Sequence, residues 1–173
     1  MNSQPGDVMR QNLHGIHLLM NASYPLAVNA SAGKPHNPGV DTAESVVAIA
    51  EYPEDFLGIF TINNAAMKYQ LKNDQLTQLD GDKARMDISR EECKVYMQGV
   101  EEKPATSNAS KLGFGHATDL HVANFLECVR TRQTPTAPMR VAFQAALVVQ
   151  MANLSLKHGR RIRWNQQTSR VEM

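Results

Sequence analysis

The stretch from His121 to Trp164 constrains this chain more than any other, because it prescribes helix, turn, helix and strand in a fixed order. Val122, Phe125, Leu126 and Val129 recur at i, i+3, i+4 and i+7, the spacing of one helix face. Thr134-Pro135-Thr136-Ala137-Pro138 predicts a stop and a restart, with Thr136 as N-cap and Pro138 near the first helical position. Beyond it, Val141, Ala145, Val148, Ala152 and Ser155 line one side of a second helix with small residues suited to close packing. Gly159, after Lys157-His158, is placed to end that helix in the left-handed conformation. Arg161-Ile162-Arg163-Trp164 then alternates polar and apolar, as a short strand does.

Upstream, Asp7 to Ala22 carries Met9, Leu13, Ile16 and Met20 at helical spacing, before a turn at Ser23-Tyr24-Pro25. Leu26–Ala32 reads as a strand and Gly33–Gly39 as a loop. Glu44–Tyr52 and Phe56–Asn63 read as strands joined by the turn Pro53-Glu54-Asp55. Shorter strands are expected near Met67–Lys72, Ala84–Ile88 and Lys94–Met97, with a turn at Asp80-Gly81-Asp82. Glu101–Gly115 reads as a loop rich in Pro, Ser, Asn and Gly. Helix, hairpin-linked strands, then two helices is the α+β pattern: a mostly antiparallel β-sheet with helices packed on one face. With 173 residues, 42% of them hydrophobic, the chain is long enough to bury one ordinary core, so a single domain over 1–173 is expected.

Composition removes several function classes. The net charge is +1 with signs interspersed, which advertises no basic face for nucleic acid. The apolar runs fall short of the roughly 20 residues a membrane helix needs. Met1 to Asp7 lacks the apolar core of a signal peptide. Cys93 and Cys128 lie far apart in unlike contexts and read as reduced packing residues, so a cytoplasmic setting is the default. No Ser-His-Asp order, nucleophile elbow or carboxylate pair supports hydrolase chemistry. His14 and His17 stand at i, i+3, but His36, His116 and His121 offer no matching spacing, so no metal site is expected. Thr118 or Asp119 could cap the helix that follows them. Arg130, Arg132, Arg160, Arg161 and Arg163 read as helix-end and edge-strand charges. Nowhere does a strand, Gly-rich loop and helix follow the G-x-G-x-x-G pattern of a dinucleotide cradle; Gly113-Phe114-Gly115 reads as a flexible helix lead-in.

The helix His121-x-x-Asn124-Phe125-Leu126-x-Cys128-Val129-Arg130-x-Arg132, the Pro-containing loop, the small-residue helix and Gly159-Arg160-x-Ile162-x-Trp164 resemble the C-terminal end of one enzyme family. It is the glucose-fructose oxidoreductase, inositol dehydrogenase and rhizopine-catabolism family of nicotinamide-dependent oxidoreductases. Pro25-x-x-Val28-x-Ala30, Asp41-Thr42 followed by Glu51-Tyr52-Pro53, and the turn and strand from Gly81 to Ile88 resemble further family segments, although Ala84 replaces a glycine. The resemblance implies the family's substrate-binding and oligomerisation domain, begun after its first strand and without the dinucleotide-binding domain. It implies a sugar, polyol or related hydroxyl substrate, and NAD or NADP bound mainly elsewhere, with no cofactor held and no activity expected for this chain alone. It also implies a homo-oligomer formed through a sheet face, expected to bear Val46, Ala48, Ile59 and Thr61. Glu102-Lys103-Pro104 matches a catalytic tripeptide of the family but lies far downstream of its proper place, so Lys103 reads as a solvated loop residue.

His17 is the candidate catalytic residue. Leu13-His14-Gly15-Ile16-His17-Leu18-Leu19-Met20 resembles the family's D-x-G-x-H-x-x-D helix, whose histidine exchanges a proton with the substrate hydroxyl. An imidazole suits that work because it titrates near neutral pH. Here Leu13 and Met20 replace both aspartates, and a histidine on an apolar helix face is commonly a packing residue. Two alternatives therefore stand beside the oxidoreductase: a non-catalytic binding or oligomerisation module derived from the family, and part of an NAD-retaining glycosidase.

Overall fold

The computed structural model describes residues 5–35, 39, 43–63, 76–89, 92–100, 102–110 and 113–173. The strand expected near Met67–Lys72, together with His36 and Asp41-Thr42, lies outside these residues. In chain order the elements are α1 (Pro5–Leu19), β1 (Ala27–Ala32), β2 (Ser45–Glu51), β3 (Leu57–Asn63), β4 (Thr77–Asp80), β5 (Ala84–Ile88), β6 (Glu92–Met97), β7 (Thr106–Ala109), α2 (Gly113–Thr131), α3 (Met139–His158), β8 (Ile162–Asn165) and β9 (Arg170–Glu172). Among the described residues every strand pairing is antiparallel, which bears out the α+β reading. The chain divides into two compact units, one of Met1–Ala66 with Ala137–Met173 and the other of Met67–Thr136.

The first unit holds a five-stranded sheet in the order β3-β2-β1-β8-β9, with α1 and α3 packed on one face. Val28, Ala30, Ala48, Ala50, Phe60 and Ile62 alternate toward those helices and meet Leu13, Val148, Met151 and Ala152 in the core. Small residues on this sheet face let the helices approach closely, and the small-residue side of α3 is buried as its spacing predicts. β1 pairs with β8 only at Ala27 and Val28. Past that point the N–H of Ala30 donates to the buried Ser155 Oγ at 2.9 Å, so a side chain replaces the missing ladder bond. Gly159 sits at φ 64 and its N–H donates to the Ser155 carbonyl, the left-handed cap read from the sequence.

Three expectations are corrected. The N-cap of α3 is Pro138 in extended conformation, not Thr136, whose N–H and hydroxyl both donate to Asn124 Oδ1 at 3.0 Å. Helix α2 starts at Gly113, so Gly113-Phe114-Gly115 is its first turn rather than a flexible lead-in, and Thr118 and Asp119 lie inside it rather than at its cap. Val46 and Ala48 point inward; register pairs Val46 with Ile62 and Val47 with Thr61, so the outward face carries Val47, Ile49, Ile59 and Thr61.

The second unit holds a four-stranded sheet in the order β4-β5-β6-β7 together with α2. One sheet face is a charged ladder. Arg85 forks Asp87 through Nε and Nη2, both at 2.8 Å, and lies over the Tyr96 ring at 5.7 Å. Lys94 pairs with Glu92 at 2.7 Å, and Ser107 donates to the same carboxylate. On α2 the predicted apolar stripe forms, yet Val122, Phe125, Leu126 and Val129 are all exposed, while Cys128 is buried.

Candidate functional site

The site begins with the helical spacing that places Leu13 and His17 on the same face of α1, where both are buried. His17 is 2% exposed. Its Nδ1 lies 2.8 Å from the Leu13 carbonyl oxygen, which can only accept, so Nδ1 carries the ring proton. The neutral ring then presents a lone pair at Nε2, 3.2 Å from the Tyr52 hydroxyl, which donates to it.

The hairpin supplies Tyr52. It follows β2, and its N–H donates to the Phe56 carbonyl to close the turn through Pro53 and Glu54. The Tyr52 ring stacks on Phe56 with centroids 4.4 Å apart and meets His17 edge-on at 5.5 Å. Gly58 makes room for this stack: a Cβ there would come within 3.0 Å of the Phe60 ring and 3.4 Å of Tyr52. The same turn is tied to the end of α1 by the Ser23 N–H, which donates to Glu54 Oε1 at 2.8 Å. One register pair earlier, Arg161 reaches Glu51 with Nε at 2.8 Å and with Nη2, and that bond holds the Glu51 carboxyl below its ordinary range.

Electrostatics follow from the burial. Desolvation of the ring is the largest influence on His17 and lowers its proton affinity; the Leu13 carbonyl and Glu54 oppose this, while His14 and Arg140 add to it. Burial likewise pushes the Tyr52 phenol well above its usual range, so the hydroxyl keeps its proton. The result is a neutral, hydrogen-bonded pair. Among the described residues no carboxylate bonds to the ring: Leu13 occupies the position one turn back and is fully buried, and Met20 lies just past the helix end.

Sequence reasoning found His17 but missed Tyr52, which is 35 residues away and 4% exposed. The available signal was a tyrosine at the end of an apolar strand, where its hydroxyl needs a partner once buried. His14 acts on the His17 ring through its charge, while His116 and His121 are exposed on α2 of the second unit. Among the described residues no three His, Cys, Asp or Glu side chains converge as metal ligands would. Nor do those residues fit a dinucleotide, since every pairing is antiparallel and no βαβ unit exists among them to aim a helix N-terminus at a pyrophosphate. Helix α3 is long and apolar enough to cross a membrane by length and composition, but half of it is buried as the core helix of its unit. A groove of about 420 Å³ lies on the charged face of the second unit, lined by Asp80, Arg85, Tyr96, Met97 and Gln98.

No family model matches this sequence, and no curated protein matches it either. Solved structures do match. An NAD binding oxidoreductase from Klebsiella pneumoniae superposes with TM-score 0.75 at 12% identity, covering 92% of this chain and 50% of its own. The chain has the fold of about half of that protein. Levoglucosan dehydrogenase, solved with NADH and levoglucosan, gives TM-score 0.72 at 13% identity, with 91% of this chain and 49% of that one covered. An aldose-aldose oxidoreductase from Caulobacter crescentus, complexed with glycerol, gives 0.69 at 15% identity, covering 90% of this chain and 45% of that one. These neighbours are of the glucose-fructose oxidoreductase, inositol dehydrogenase and rhizopine-catabolism type, so the resemblance read from the sequence holds for the fold. This chain spans about half the length of each, consistent with their C-terminal domain.

Proposed function

We propose that this chain is the substrate-side half of an NAD- or NADP-dependent oxidoreductase of that family, acting on a sugar, polyol or related hydroxyl compound in the cytoplasm. The observation that carries the reading is the antiparallel sheet with α1 and α3 on one face, matched over nine-tenths of the chain by half of each neighbour. The nucleotide is then gripped by a separate domain outside these 173 residues. In this reading His17 stands at the proton-transfer position, and Nε2 of its neutral ring takes the hydroxyl proton once the Tyr52 hydroxyl turns its own proton away. The purified chain is expected to show no micromolar binding of NAD+ or NADP+ by calorimetry. Tight binding would overturn the proposed division of labour.

One observation favours a second reading, a non-catalytic module. His17 is sealed by Leu13 and Tyr52, and among the described residues no carboxylate is bonded to its ring; Glu54 acts on it only through its charge. Turnover assays of His17→Gln in a chain fused to its dinucleotide domain separate the two: a loss of 100-fold or more supports proton transfer, in line with the usual contribution of a positioned acid or base. An unchanged rate removes His17 from the chemistry, and a fusion without turnover even before substitution supports the module.

The partner proposed for the first unit is a second copy of this chain. The outward sheet face exposes Leu57 at 63% and Ile59 at 66%, beside Val47 and Ile49, a contiguous apolar surface on paired strands. Light scattering is expected to give a dimer or larger assembly, and Ile59→Arg is expected to shift it to monomer. A monomeric parent chain would remove this partner.

A further inference from the structure

We infer that Tyr52 is a positioning residue: its hydroxyl and the Leu13 carbonyl together hold His17 as a single tautomer, with the proton on Nδ1 and the lone pair on Nε2. The inference deepens the proposed function and rests on it only for the word positioning; the tautomer stands on geometry alone. A carbonyl oxygen cannot donate, so the 2.8 Å contact from Nδ1 to Leu13 is a bond only when Nδ1 is protonated. The 3.2 Å contact from the Tyr52 hydroxyl then finds Nε2 as acceptor. Edge-on packing of the two rings at 5.5 Å and the Phe56 stack at 4.4 Å fix the direction from which the hydroxyl approaches.

This arrangement does without side-chain carboxylates what a histidine–carboxylate pair does with one. A backbone carbonyl sets the tautomer, and a neutral phenol sets the ring angle. The charged or titratable groups facing the ring from its surroundings are His14 on α1, Glu54 in the hairpin turn and Arg140 on α3, of mixed sign. None of them is bonded to the ring nitrogens in place of Leu13 or Tyr52. A charged ring would require the Tyr52 hydroxyl to turn from donor to acceptor and its own proton to find another partner inside the core.

The test is a long-range proton–nitrogen correlation spectrum of the full 15N-labelled chain. The expected pattern for His17 is one protonated nitrogen, Nδ1, and one bare nitrogen, Nε2, kept at pH 6.5, where an ordinary imidazole is about half charged. In Tyr52→Phe, Nε2 is expected to move downfield as its lone pair loses a donor, while Nδ1 stays in place. A proton on Nε2, a doubly protonated ring at pH 6.5, or an Nε2 unmoved in Tyr52→Phe would each overturn the inference. The His17→Gln turnover assay can fail independently, leaving the tautomer intact and removing only its catalytic purpose.

Discussion

Replacing Leu13 by aspartate, the residue the family often has there, is expected to destabilise the first unit by about 4 kcal/mol rather than to restore a histidine–carboxylate pair. Leu13 is completely buried in the core with Val148 and Met151. Removing its side chain forfeits transfer and packing energy of about 2–5 kcal/mol by itself. The new carboxylate would be stripped of water, and its attraction to a protonated His17 would offset that loss only if the remaining oxygen lone pairs found donors. His17 must also give up the Leu13 carbonyl or share it to meet the new group. Leu13→Asn, nearly the same shape without charge, is the control. Urea denaturation at pH 7 should find both variants severely weakened, with Asp no better than Asn. An Asp variant more stable than Asn by more than 1 kcal/mol would show that the pair forms and that the apolar replacement is easily reversed.

The second large effect concerns His17 itself. His17→Ala is expected to cost about 3 kcal/mol, from an unfilled cavity and from a buried Tyr52 hydroxyl left without its acceptor. The pH dependence tells this apart from simple loss of bulk. The folded state holds the ring less basic than the unfolded chain does. As pH falls below about 6.5, the unfolded state gains a proton that the folded state refuses, so stability drops until the folded ring protonates too. The contribution is thus fully present above that point and lost beneath it. Wild-type chain should weaken between pH 7.5 and 5.5 more than His17→Ala does, measured as the difference in urea midpoints. Parallel curves for the two proteins would mean that His17 is not held neutral.

Much of this architecture was readable from residue order, and the failures have definite physical causes. The first helix, the hairpin from Ser45 to Asn63 and the Gly159 stop follow from periodicity and turn chemistry, because there local preference and tertiary packing agree. The facing of β2 was not readable. Val46-Val47-Ala48-Ile49-Ala50 is apolar at every position, so no alternation distinguishes inside from outside, and only the register with β3 resolves it. β7, Thr106-Ser107-Asn108-Ala109, is wholly exposed and has no strand pattern of its own; it is a strand because β6 pairs with it. The start of α2 was hidden by glycines at 113 and 115, which weaken helix preference without forbidding it. The His17–Tyr52 bond illustrates a different gap, since a sequence announces that a polar group will be buried without saying which distant residue will satisfy it.

The strand order of the first unit governs when the protein can fold. β1 lies between β2, which follows it closely, and β8, which arrives only at Ile162. Ala30 waits for Ser155, 125 positions later. A ribosome therefore extrudes 125 residues beyond Ala30 before the middle of this sheet gains its second neighbour, and until then the apolar inner edge of β1 stays open to strangers. Truncation ahead of β8 should consequently produce insoluble chains rather than shortened, folded ones, which makes this late strand a timing element of biosynthesis as well as a structural one.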